Sequence, residues 1–242
     1  MKRPFLNLAL LIAGLGVMSL ASSCVLNCVH GSGHQATENR TVTNDFNRLE
    51  VSGGFKVILK QDSSGKISIT ADDNILKYIK TKNEGGTLQI YTHRNICNAG
   101  DMTVTIGVKN LEQIRASGAT ELSADGKLVC KDLEFHLSGV SKINLNLNAA
   151  NVTVEGSGDT EMQLSGQATS NHVDISGVAK IHAFDFVVSD YNISTSGASH
   201  CEINVLHSLH VSSSGASEIK YKGNPTDVNN EKSGASSLEK VD

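Results

Sequence analysis

Apolar and polar residues alternate along most of this chain. In Ile143-Asn144-Leu145-Asn146-Leu147 the period is two, which belongs to a half-buried strand and not to a helix. The alternation is itself repeated. Ser-Gly returns at Ser117-Gly118, Ser138-Gly139, Ser157-Gly158, Ser176-Gly177, Ser196-Gly197, Ser214-Gly215 and Ser233-Gly234, in steps of 21, 19, 19, 20, 18 and 19 residues. Four residues past each Gly stand Leu122, Ile143, Met162, Ile181, Cys201, Ile219 and Leu238, so a strand follows every turn. Three residues before each Ser stand Ile114, Phe135, Val154, Val173, Ile193 and Val211, broken only by Asn230. A second strand therefore precedes every turn.

A fixed period near 20 residues predicts stacked repeats, each burying its apolar face on the next. The expected fold is all-β: a two-sided β-solenoid with coils about 4.8 Å apart and a Ser-Gly turn at one corner. Gly is expected there in a positive-φ conformation, which it adopts without steric cost. Three residues past each Gly lies a polar column, Glu121, Lys142, Glu161, Lys180, His200 and Glu218. Stacking would set opposite charges side by side, a favourable cross-strand arrangement.

The half before the repeats is less regular. Leu49 and Val51 lead into Ser52-Gly53, with Val57 and Leu59 beyond, in the geometry of an early repeat. Ile67-Ser68-Ile69 reads as a strand, and Asp72-Asp73-Asn74 ahead of Ile75 reads as the capped start of one short helix. Glu84-Gly85-Gly86-Thr87 is a turn into Leu88-Gln89-Ile90-Tyr91, and Met102 to Val108 alternates again. No Pro/Gly/Ser-rich linker interrupts the chain here, so residues 41–242 read as one continuous domain.

Residues 1–23 have the form of a lipoprotein-type signal peptide: Met1-Lys2-Arg3, an apolar run from Phe5 to Ala21, and Ala21-Ser22-Ser23 just before Cys24. Cys24 is the expected lipidation site, although Ala21 stands where a lipobox usually has Leu; ordinary cleavage after a small residue is the alternative. Residues 24–40, with Gly31, Ser32, Gly33 and Gln35, read as a flexible tether. The expected location is the cell envelope, lipid-anchored at the outer membrane, with the membrane face left open.

Composition narrows the chemistry. A net charge of −4 and a pI near 6.1 give no basic footprint for nucleic acid. With no Trp, four Tyr and six Phe, the core must be aliphatic and aromatic platforms for sugars are scarce. Cys28, Cys97, Cys130 and Cys201 show no zinc spacing, and their pairing is open. His207 and His210 are three apart, which in a strand sends them to opposite faces. Asp159, Asp174, Asp185 and Asp190 sit at different offsets from Gly, unlike the paired carboxylates that glycosidic cleavage needs. No catalytic, cofactor-binding or metal site is expected.

Several stretches together carry a family resemblance. Phe46-Asn47-Arg48-Leu49-Glu50-Val51-Ser52-Gly53-Gly54-Phe55-Lys56-Val57, Ala71-Asp72-Asp73-Asn74-Ile75-Leu76, Thr87-Leu88-Gln89-Ile90, the run Val104 to Ile114 and the Ser-Gly-Ala repeats resemble the putative auto-transporter adhesin, head GIN domain family, also called DUF2807. That resemblance implies a β-helix similar to pectin-lyase-like proteins without their catalytic residues, and a role in cell adhesion. The expected function is a non-catalytic envelope module whose flat polar sheet faces meet a glycan, a protein or another copy of the chain. The alternative is a polysaccharide-acting β-helix enzyme.

Overall fold

The computed structural model describes residues 28–43 and 45–242. Alternation of period two becomes strand in nearly every predicted segment. Ile143, Leu145 and Leu147 are buried while Asn144 and Asn146 between them are exposed. In chain order the strands are β1 (Cys28–His30), β2 (Gln35–Thr41), β3 (Arg48–Ser52), β4 (Lys56–Gln61) and β5 (Lys66–Asp72), followed by the one-turn helix α1 (Asp73–Leu76). Then come β6 (Ile79–Glu84), β7 (Thr87–Thr92), β8 (Asn95–Cys97), β9 (Thr103–Val108), β10 (Gln113–Val129), β11 (Asp132–Lys222), β12 (Asp227–Lys232) and β13 (Ser237–Lys240).

One sheet holds all of these strands except β1 and β8, which form a small parallel pair. Its path is β2-β5-β9-β4-β10-β3-β7-β6, with β11 on β10, and β12 and β13 on β11. The long strands turn at their glycines, so β10 pairs β3 before Gly118 and β4 after it.

The expected β-solenoid of β-helix, pectin-lyase-like form is not what the chain builds. The sheet is a curled half-barrel of mixed strands. Three of its ladders are antiparallel: β2 with β5, β5 with β9, and β6 with β7. The physical reason lies before residue 113, where short turns reverse the chain. Gly85 and Gly86 both have positive φ, 57° and 77°, the requirement of a two-residue hairpin turn, and such a turn obliges β6 and β7 to run antiparallel. From β10 onward pairing is parallel with an offset near 20, as in Ser117↔Ser138 and Gly118↔Gly139. The repeat period describes that wing of the sheet, and the early repeat around Ser52-Gly53 joins it in parallel register, as in Ser52↔Ser117 and Val57↔Leu122.

One continuous aliphatic core lies inside the curl. The column from Leu122 through Ile143, Met162, Ile181 and Cys201 to Ile219 is buried throughout, as is that from Ile114 to Val211. Asn230 breaks the second column in β12, where every residue is exposed. Polar residues on an outer strand weaken its appeal as a template for further pairing.

Residues 28–40, read as part of the tether, include β1 and all of β2 but Thr41, and β2 pairs along its whole length with β5. A disulfide between Cys28 and Cys97 ties β1 to β8. Cys130 and Cys201 are free; burial of Cys201 in the core pushes its thiol up to about 12. Helix α1 lies where expected, yet Asp72 does not cap it. Its buried carboxylate instead accepts from the backbone N–H of Gly33 at 3.2 Å and of Gly100 at 3.4 Å, binding the β1 and β8 arms to the body.

Candidate binding surface

Outward side chains in this fold are held in rows, because each strand of a ladder sets like positions side by side. On the strand segments before the Ser-Gly turns, Arg115 stands in register with Glu50 on one side and His136 on the other. Glu155 and Asp174 continue the row at the same offset from their Ser. These five residues line an open hollow of about 670 Å³, with Ser117, Ser138, Ser157 and Ser176 along one flank. Ion pairs and hydrogen bonds hold these side chains to one another and to their neighbours. His136 Nδ1 is 3.0 Å from Glu155 and its Nε2 is 3.5 Å from Glu134. Arg115 Nε donates to Gln113 at 3.0 Å, and Gln89 donates to Glu50 at 3.0 Å. The Ser52 and Ser117 hydroxyls are 2.8 Å apart, the first rung of the serine flank.

After the turns the chain presents a second outward face, carrying the alternating column read from the sequence. Lys142 and Glu161 pair at 3.6 Å, and His200 and Glu218 at 3.0 Å. One step further along each strand, His182 Nδ1 bonds Glu202 at 2.8 Å, Glu202 lies 3.7 Å from His200, and Lys220 meets Glu218 at 2.9 Å. The hydrogen bond with His182 holds the Glu202 carboxyl below its usual range, and the bonds from Lys220 and His200 do the same for Glu218. A further hollow of about 670 Å³ separates the Gly53 turn from the β8 arm, and Lys56 is paired there with Asp101 at 2.7 Å.

The singled-out carboxylates do not converge. Asp174 lies in the first hollow, whereas Asp190 pairs with His207 at 2.9 Å and is lowered by that hydrogen bond. Asp159 is exposed beside the Gly158 turn, and Asp185 is exposed on β11. His210 stands in register with Asn229, away from the His207 pair. Among the described residues no cluster of three or more His, Cys, Asp or Glu is arranged to hold a metal ion. No helix among them is long and apolar enough to cross a membrane. Cys24 lies outside the described residues. The row of Arg115, His136, Glu155 and Asp174 escaped the sequence reading, although it follows the same period two residues before each Ser and was open to the same count.

Residues 45–225 match the family model described as "Putative auto-transporter adhesin, head GIN domain". The chain belongs to this family. Solved structures similar to this head GIN chain include a putative adhesin from Bacteroides fragilis NCTC 9343, 21% identical with a TM-score of 0.78, covering 88% of this chain and 100% of that one. A putative lipid binding protein from Parabacteroides distasonis ATCC 8503 is 19% identical with a TM-score of 0.71, covering 88% and 99%. A putative adhesin from Parabacteroides merdae ATCC 43184 is 21% identical at 0.65, covering 90% and 100%. At these identities the likeness is one of fold. Among curated proteins no relative matches the chain.

Proposed function

We propose that this head GIN chain is a non-catalytic binding module of the cell envelope, used in adhesion. The observation that carries the reading is the pairing of outward charges within in-register rows. Among the described residues, every carboxyl whose pKa is shifted is shifted down: Glu38, Asp45, Asp62, Asp73, Asp190, Glu202 and Glu218. Glycosidic cleavage needs the opposite in at least one carboxyl, a raised pKa that keeps a proton ready for the leaving oxygen. Rows of carboxylates, amides, hydroxyls and imidazoles on open faces offer donors and acceptors to a broad polar ligand instead.

Attachment through a lipid on Cys24 fits this role. Cys24 lies four positions before Cys28, about 14 Å at full extension, and the disulfide there joins β1 to the β8 arm at Cys97. The anchored module would stand close to the membrane with its β1 and β8 end nearest the lipid. The test is adherence of cells carrying or lacking the protein, combined with fractionation and protease accessibility. The reading expects membrane association and reduced adherence without the protein; a chain found wholly in the soluble fraction and indifferent to adherence would overturn it.

A further inference from the structure

Phe184 is the exception in an otherwise polar outward row. Seven residues past successive turn glycines stand Asn146, Ser165, Phe184, Asn204 and Lys222, outward positions on the strand after each turn. Phe46, Phe55, Phe135 and Phe186 are buried, and Phe184 is the one phenylalanine among the described residues that is not. Its place is held firmly, since Asn204 Nδ2 donates to the Phe184 carbonyl at 3.0 Å. Two residues earlier in each repeat runs a row of planar hydrogen-bonding groups: Asn144, Gln163, His182 and Glu202. Between that row and the ring is a hollow of about 190 Å³.

We infer that this hollow receives a single pyranose ring of a neutral glycan. The inference rests on the binding reading above and names the ligand class for one site on that surface. A sugar ring presents C–H groups on its face and hydroxyls around its rim. The negative face of an aromatic ring suits the first. Amides and carboxylates, which supply donors and acceptors in fixed planes, suit the second. The Asn144 and Gln163 amides make no side-chain hydrogen bond to other described residues, while the 2.8 Å bond with His182 orients the Glu202 carboxylate. Size points the same way, because pockets for drug-sized ligands start at about 300 Å³. Lys222 covers the ring with its ammonium 4.8 Å from the centroid. Its long stem lets it move aside as the sugar enters.

The test is titration of the purified, disulfide-intact chain with methyl β-glycosides of glucose, galactose, mannose and N-acetylglucosamine, followed by saturation-transfer NMR and by the side-chain amide signals of Gln163. At least one glycoside saturates. Phe184→Ala and Gln163→Ala weaken it tenfold or more at unchanged melting temperature, Lys222→Ala binds at least as tightly as the parent, and Asp159→Asn, at the exposed Gly158 turn, has no effect. Failure of all four glycosides to bind, or equal binding by Phe184→Ala, overturns the site. The parent protein is also run in the adherence assay: adherence by a parent that binds none of the glycosides overturns this site alone, and a parent that neither binds a glycoside nor supports adherence overturns the broader reading with it.

Discussion

At Gly177 two constraints meet on one atom. Its φ is 112°, and a Cβ built there would lie 2.4 Å from the carbonyl oxygen of Gly158 on the neighbouring strand. The first constraint was readable from the sequence as a tight turn; the second comes only from the stacking of one turn on the next. Gly177→Val therefore combines left-handed strain, about 1–3 kcal/mol, with a backbone clash, and should lower the melting temperature well beyond Gly126→Ala. Gly126 has φ of 95° but nothing within 4 Å of the added Cβ. Thermal denaturation of the pair separates clash from strain. Ile143→Asp, at 2% exposure, puts an unpaired charge among aliphatic neighbours and should abolish the cooperative transition followed by circular dichroism.

Acid exposes another residue-scale device. Because the hydrogen bond with His182 lowers the folded-state pKa of Glu202, that interaction contributes stability above the unfolded glutamate value, near 4.3. The contribution disappears as pH falls through the folded value. Carboxyl NMR titration should place the Glu202 midpoint below the usual range, and His182→Gln should move it up. A midpoint indifferent to His182 would detach the pair.

Among the elements, β1 depends most on a covalent bond. The Cys28–Cys97 disulfide closes a separation of 69 residues, and a bridge of that span typically contributes about 2–4 kcal/mol by restricting the unfolded chain. Cys28→Ser with Cys97→Ser should lower stability by that order in chemical denaturation. The pairing was not legible beforehand, since four cysteines without metal spacing admit several partners. The turn into β7 was legible, because Gly85-Gly86 carries its own turn chemistry, but its partner strand β6 was not. The ladders of β5 with β2 and β9 were not: local alternation marks a strand but says nothing of its partner or direction. Asp72 shows a related limit. Its position before α1 suggested a cap, and only the fold shows the carboxylate turned to Gly33 and Gly100.

For the whole molecule, the repeat period correctly located inward and outward columns from residue 113 onward, but global direction was decided by hairpins outside the repeats. Hence the curled mixed sheet in place of a uniform stack. The proposed anchor is tested on the whole chain: if Cys24 is acylated, Cys24→Ala should move the protein from the membrane to the soluble fraction, because acyl chains provide about 0.8 kcal/mol per buried CH₂. Unchanged membrane association would remove Cys24 from the account. The central claim, binding without catalysis, is tested most directly by one measurement. The purified chain is incubated with immobilised neutral and acidic polysaccharides while retained protein and released reducing ends are recorded together. The account predicts retention with no release above the protein-free control; turnover abolished by Glu155→Gln or Asp174→Asn in a protein that remains folded would contradict it.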